Sequence, residues 1–319
     1  MDAFLTSNLV FLLAVGIASF GGSAILSRLF VKEPEHLRVG LWWLLAVVLA
    51  LSCAWVSGGW QFPPKESQNW IGYVLLFAAL LRSIPFPTTQ LISALASATF
   101  GLVVTLLPVA QNGWNLLTFA SWFFVGLFSY LMVRLVLHQE FETASVRAPV
   151  LLALPLLVTA ALSFFAGSAM LAELAVTGAV AVVAVYLAVR SSALGRGFVE
   201  ITLIFHFLLL LNCSVYADLP PGVAWLQWIA PAAVVLVGQA LPRQKMMTRH
   251  WRNLAAMVAL VVAECGVGAV FYWVARPADS NCVSKMRPRA RRVASDSPPR
   301  RIALATMCPV RAFGKAGRR

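Results

Sequence analysis

Charge is scarce in this chain. Of its 319 residues only 12% are Asp, Glu, Lys or Arg, while 60% are hydrophobic. An ordinary soluble domain carries about a quarter charged residues. The length would allow roughly two such domains, yet no stretch of about 100 residues is polar enough to make one. Alternating strands of about ten residues, the mark of a membrane barrel, are also missing. So are the motifs of common site chemistry. The five cysteines contain no C-x-x-C pair. No H-E-x-x-H, G-x-S-x-G, P-loop or dinucleotide fingerprint stands in a suitable context. No metal site and no cofactor are therefore expected. Cys53, Cys213 and Cys265 fall in apolar runs and read as small packing residues.

What the chain has instead is a succession of ten apolar runs tiling residues 4–275. They cover approximately 3–27, 39–57, 68–85, 89–110, 116–137, 149–168, 170–189, 199–217, 222–241 and 254–275. Runs of about 20 residues suit membrane-spanning helices, which satisfy their own backbone hydrogen bonds in lipid. The fold expected is all-α, a polytopic transmembrane helical bundle of about ten spans, with the lipid bilayer as its main partner. The first run is preceded only by Asp2, with no basic segment, so it reads as a retained helix and not a signal peptide. The third is the weakest. Its apolar heart, Ile71–Leu81, is short, and Arg82 would have to snorkel. The sixth and seventh are joined near Gly167–Met170, a tight helical hairpin.

Basic residues orient the bundle. Twelve of the thirteen Lys and Arg before residue 276 fall in alternate loops, and Lys65 is the exception. The positive-inside rule places those loops in the cytoplasm and the N-terminus outside a plasma (inner) membrane. Removing the doubtful third run would reverse every later loop and destroy this agreement. Tryptophan supports the same frame. Trp55, Trp60, Trp70, Trp114, Trp225, Trp228 and Trp273 lie at expected outer ends and Trp42, Trp43 and Trp251 at inner ends, as in an interfacial belt.

The basic character of the whole chain belongs to its end. Residues 1–275 carry a net charge of +3 and residues 276–319 a net of +10. The chain therefore divides into a transmembrane domain, 1–275, and a basic, disordered tail, 276–319. With ten spans and the N-terminus outside, this tail would lie outside too, against the rule that oriented the rest. One run does not cross, or the tail is truly external, or it is not the evolved continuation of the membrane domain. Its RPRARR and PPRR stretches resemble a GC-rich gene read out of frame, and the third reading is preferred. Nucleic acid is accordingly not expected as a partner.

Ionisable groups deep in an apolar run are costly and become functional candidates by default. Glu264 lies near the middle of the tenth run, and His206 lies in the eighth, about 9 Å beyond Glu200. If the two helices are neighbours, these side chains could bridge in a proton relay or a substrate contact. The plainer alternative is a neutral pair of groups holding helices together. In the fourth run Ser93, Ser97, Gly101 and Thr105 recur every four residues behind Gln90. That small polar stripe suits helix packing or, with Gln90, the wall of a solute pathway. Arg82 and Arg134 read as snorkelling residues at inner ends. Glu33, Glu35 and His36, and His138, Glu140 and Glu142, read as solvated loop surface, with metal ligation the lesser alternative. A compact bundle with isolated polar groups favours a transporter or permease for a small-molecule solute. A membrane-embedded transferase working at the inner face, or a non-catalytic subunit of a membrane complex, stand as alternatives.

Overall fold

The computed structural model describes residues 2–60, 62–64, 66–84, 89–111, 113–142, 148–189, 194–240, 258–259, 261–264 and 266–271. Regular structure among them is helical throughout. The order is α1 (Asp2–Leu29), α2 (Pro34–Val56), a 3-10 turn (Ser67–Asn69), α3 (Trp70–Arg82), α4 (Thr89–Gln111), α5 (Leu116–Glu142), α6 (Ala148–Phe165), α7 (Ala169–Val189), α8 (Arg196–Tyr216) and α9 (Pro221–Ala240). A further apolar segment, α10 (Val261–Phe271), follows. These helices belong to one compact unit, Met1–Trp273. The expected tail, 276–319, lies outside the described residues.

Among the described residues six helices are long and apolar enough to cross a membrane: α1, α2, α4, α5, α7 and α8. The expected ten is thus larger than the number that reach crossing length. Each of the ten apolar runs does contain one of the helices. Over the described residues α6, α9 and α10 present shorter apolar helices, Val150–Phe165, Pro221–Leu236 and Val261–Phe271. α3 has 13 residues, about 20 Å of helix against a hydrocarbon core of about 30 Å.

Local chemistry sets several boundaries. Pro34 occupies the first turn of α2, where its missing N–H removes no helical hydrogen bond. α6 and α7 form the expected hairpin. Gly167 adopts φ +85°, its N–H bonds to Phe164 O at 3.1 Å, and the N–H of Ser168 reaches Ser163 O at 2.9 Å. This is the Schellman closure, which a glycine in the left-handed region permits. Ser168 then caps the next helix, its Oγ accepting from the Leu171 N–H at 3.3 Å. Gly58, at φ +76°, ends α2 in the same way: Gly59 N–H bonds to Ala54 O and Gly58 N–H to Trp55 O. Asn115 opens α5 by accepting the Thr118 N–H on its side-chain oxygen at 2.7 Å.

α8 is the axis of the molecule. Every residue from Gly197 to Cys213 is buried, because α2 to α7 and α9 all pack around it. A helix apolar on all faces belongs in such a position. α1 sits at the margin against α7 and α2 and leaves Leu9, Val10, Leu13, Ile17 and Ile25 exposed. α5 likewise exposes Phe124, Val125 and Phe128. In water such apolar surfaces would be a liability; against lipid tails they are the matching surface.

One tryptophan departs from the expected belt. Trp228 is buried, lying two turns inside α9, where it stacks on Tyr130 and meets Phe207 and His206. Trp55 and Trp60 are exposed as expected.

Candidate functional site

Antiparallel packing brings the start of α8, the ends of α3 and α5 and the starts of α2 and α4 to one end of the bundle. Arg82, in the last turn of α3, and Arg134, two turns before the end of α5, both turn inward there. Their terminal guanidinium nitrogens converge on a single oxygen, Oε2 of Glu200 in α8. Arg82 Nη1 is in direct contact with it, and Arg134 Nη2 lies 3.4 Å away. Arg134 Nη2 also donates to the backbone oxygen of Gln90 at 2.9 Å. Arg196 Nη1 donates to the Gln90 side-chain oxygen at 3.2 Å. The Arg82 guanidinium lies 5.4 Å from the centre of the Trp42 ring, within cation–π range. Trp42 in turn fits because Gly197 faces it: a Cβ there would stand 2.0 Å from Trp42 Cε3.

The expectation that Arg82 and Arg134 snorkel is therefore corrected. Both side chains are more than nine-tenths buried, as is that of Glu200. Arg82 does end α3, but its guanidinium turns inward to the Glu200 carboxylate and the Trp42 ring; for Arg134 the physical reason is helix length. α5 runs on to Glu142, eight residues or about 12 Å beyond Arg134, so Arg134 does not stand at a helix end. Glu200 was the missed partner. It is the acid nearest the start of the eighth run, at the same end as both arginines, and that coincidence is the signal the sequence offered.

His206 sits farther along α8. Its Nε2 is 2.9 Å from Thr159 Oγ1 of α6, and its ring lies 5.7 Å from that of Trp228. Thr202, His206, Trp228 and Pro231 help line a cavity of about 10 Å³, the size of one water. Beyond it, Ser163 Oγ and Cys213 Sγ are 2.9 Å apart, and Ser67 donates to Asn212 Oδ1 at 2.9 Å. Polar groups thus recur along α8 at Glu200, His206 and Asn212.

Glu264 is buried, and neither carboxylate oxygen completes a hydrogen bond. The polar group beside it is the Gln227 amide of α9, whose Nε2 donates to Pro155 O at 3.1 Å and whose Oε1 is unpartnered. Glu264 and His206 do not meet in a hydrogen bond. Consecutive residues of α9 serve them separately, Gln227 beside Glu264 and Trp228 beside His206. The stripe of α4 is turned inward: Ser93, Ser97 and Thr105 are buried, and a Cβ on Gly101 would stand 2.7 Å from Leu208 Cδ2 of α8. Tyr216 of α8 donates to the Thr105 carbonyl at 2.7 Å. Gln90 is exposed at the arginine end and is the member of that set that joins the charged cluster.

The loop groups fall in different surroundings where they are described. Glu33 and His36 pair at 2.6 Å on the surface, His138 is buried near Arg134, and the side chains of Glu140 and Glu142 lie outside the described residues. Among the described residues no three His, Cys, Asp or Glu side chains group as ligands. No family model, no curated protein and no solved structure matches the chain.

Proposed function

We propose that the protein is a plasma-membrane carrier for a small solute, crossing the bilayer ten times with its N-terminus outside. The observation that supports this best is α8. It is the most enclosed helix of the bundle, and it carries an acid, an imidazole and an amide at intervals of six residues, about 9 Å apart. Each bonds to a different neighbour: Glu200 to α3 and α5, His206 to α6, and Asn212 to the turn before α3. Polar groups held inside a membrane bundle at such expense are characteristic of substrate and ion pathways. The ten-crossing count rests on the alternation of basic loops, with α3, α6, α9 and α10 added to the six helices of crossing length.

The test is uptake into proteoliposomes, with a panel of anionic, neutral and cationic small solutes offered with and without a pH gradient. Accumulation of at least one class, reduced tenfold or more by Glu200→Ala and by His206→Ala in protein that still folds, is the expected result. A second reading, a non-catalytic membrane subunit, draws on the water-sized cavity beside His206. It predicts folded protein that accumulates no solute of the panel, and that outcome would overturn the carrier.

A further inference from the structure

Among the described residues, the two buried arginines at the arginine end of the bundle face one buried carboxylate. Arg82 and Arg134 are buried and share one oxygen of one carboxylate, Glu200. Among the described residues, that is the carboxylate with which they pair. Arg196 is tied to the cluster through the Gln90 side chain. His138, also buried, lies in the electrostatic field of Arg134, Arg82 and Arg196 together. The Nε atoms of Arg82 and Arg134 and Nε2 of His138 are buried without a hydrogen-bond partner. Two buried cations with one counter-charge form a costly arrangement where water is excluded.

The cluster is also graded from surface to core. Gln90 and Arg196 are exposed, while Arg134 and Glu200 are buried. α4, a helix of 23 residues, begins at this end, and a helix start offers amide donors and a partial positive charge. Guanidinium groups present their donors in a planar fork that matches carboxylate and phosphate oxygens.

The geometry points to an anion site at this end, taking a phosphate or carboxylate group that passes Arg196 and Gln90 and supplies the negative charge that Arg82 and Arg134 lack. The group belongs either to a free small anion or to the headgroup of an anionic lipid, whose phosphate has the same chemistry. The site stands on the two buried guanidiniums that share one carboxylate oxygen and on their unpartnered Nε atoms, and holds whether or not the protein carries solutes.

Thermal unfolding of the full chain, followed by tryptophan fluorescence, tests it in two arms. In uncharged detergent, inorganic phosphate and then acetate are titrated at constant ionic strength. In nanodiscs, phosphatidylcholine alone is compared with phosphatidylcholine containing phosphatidylglycerol. A free anion raises the midpoint saturably by roughly 2–4 °C in the first arm; a headgroup gives the rise in the second arm alone. Either result supports the site. Arg196→Gln and Arg134→Gln should each weaken the response at least tenfold. Glu200→Gln, which removes the competing carboxylate, should lower the midpoint without anion and enlarge the rise with it. No rise in either arm overturns the site. So does a rise that Arg196→Gln leaves unchanged, a variant at the exposed rim whose folding does not depend on the buried pair.

Discussion

Single residues carry the largest stakes where charge is buried. Glu200 is held by two guanidiniums with its side chain 4% exposed. Glu200→Ala strands both arginines and should cost about 3–5 kcal/mol, the usual penalty for breaking a buried pair from one side. Replacing Arg82 and Arg134 by Met together with Glu200→Leu should recover most of that loss, since a well-packed apolar set often does as well as buried ions. Unfolding in mixed detergent micelles measures both. A triple variant no better than Glu200→Ala would show that the cluster is held by more than mutual charge. At His206 the stake is smaller. Thr159→Val removes the hydroxyl 2.9 Å from Nε2 and should cost about 1–3 kcal/mol for a buried polar atom left unpaired. Burial of His206 and Glu264 was legible in the sequence, because they interrupt apolar runs; that of Glu200, at the inner end of its run, was not. Nor were their partners. Glu200 and Arg82 are 118 residues apart, and the bridge between Glu264 and His206, conditional on their helices being neighbours, gives way to Gln227 beside Glu264 and Trp228 beside His206. Depth along a helix follows from counting residues, but the facing of one helix towards another depends on packing that a single sequence does not record.

At the scale of helices, close approach is set by what faces each glycine. Gly197→Ala puts a methyl 2.0 Å from the Trp42 indole, so the ring must move, and with it the surface beneath Arg82. That overpacking should cost about 1–3 kcal/mol and loosen the charged cluster. Gly101→Ala meets the end of Leu208, at 2.7 Å, a terminal methyl that can rotate aside, so its cost should be smaller. The order of the two midpoints in thermal unfolding checks this, and equal losses would contradict it. The α4 stripe shows which part of an element pattern can be read in advance. The four-residue recurrence of Ser93, Ser97, Gly101 and Thr105 marked a face of small residues, and that face does pack on α8. Nothing in the recurrence distinguished a packing face from a pathway wall, because both ask for small, weakly polar side chains. Helix ends were legible where the backbone needs a particular residue, as at Gly58 and Gly167. They were misjudged where hydropathy alone set them, as at the end of α5.

For the whole molecule, the decisive quantity is the direction of each helix across the bilayer. The proposed topology predicts that a reporter inserted at Gly195 reads cytoplasm and one inserted at Ser168 or Asp218 reads the outside. Agreement at Gly195 with the opposite reading at Ser168 would remove a crossing between them and sink the ten-span count. The six helices of crossing length do not by themselves fix this orientation, and the short α3 is where the count is most exposed. Charge alternation is the ground for reading that segment as a crossing, and α3 is not among the six helices of crossing length. α3 fills a place against α2, α4 and α8, and its Arg82 is bonded into the charged cluster. The hairpin of α6 and α7 bears on how such a bundle is made. Its turn is a closed knot of backbone hydrogen bonds around Gly167 and carries no charged side chain, so neither helix has slack to wait for the other during synthesis. The two are expected to leave the insertion machinery as one paired unit, already packed on each other before α8, the helix they must help enclose, has been translated.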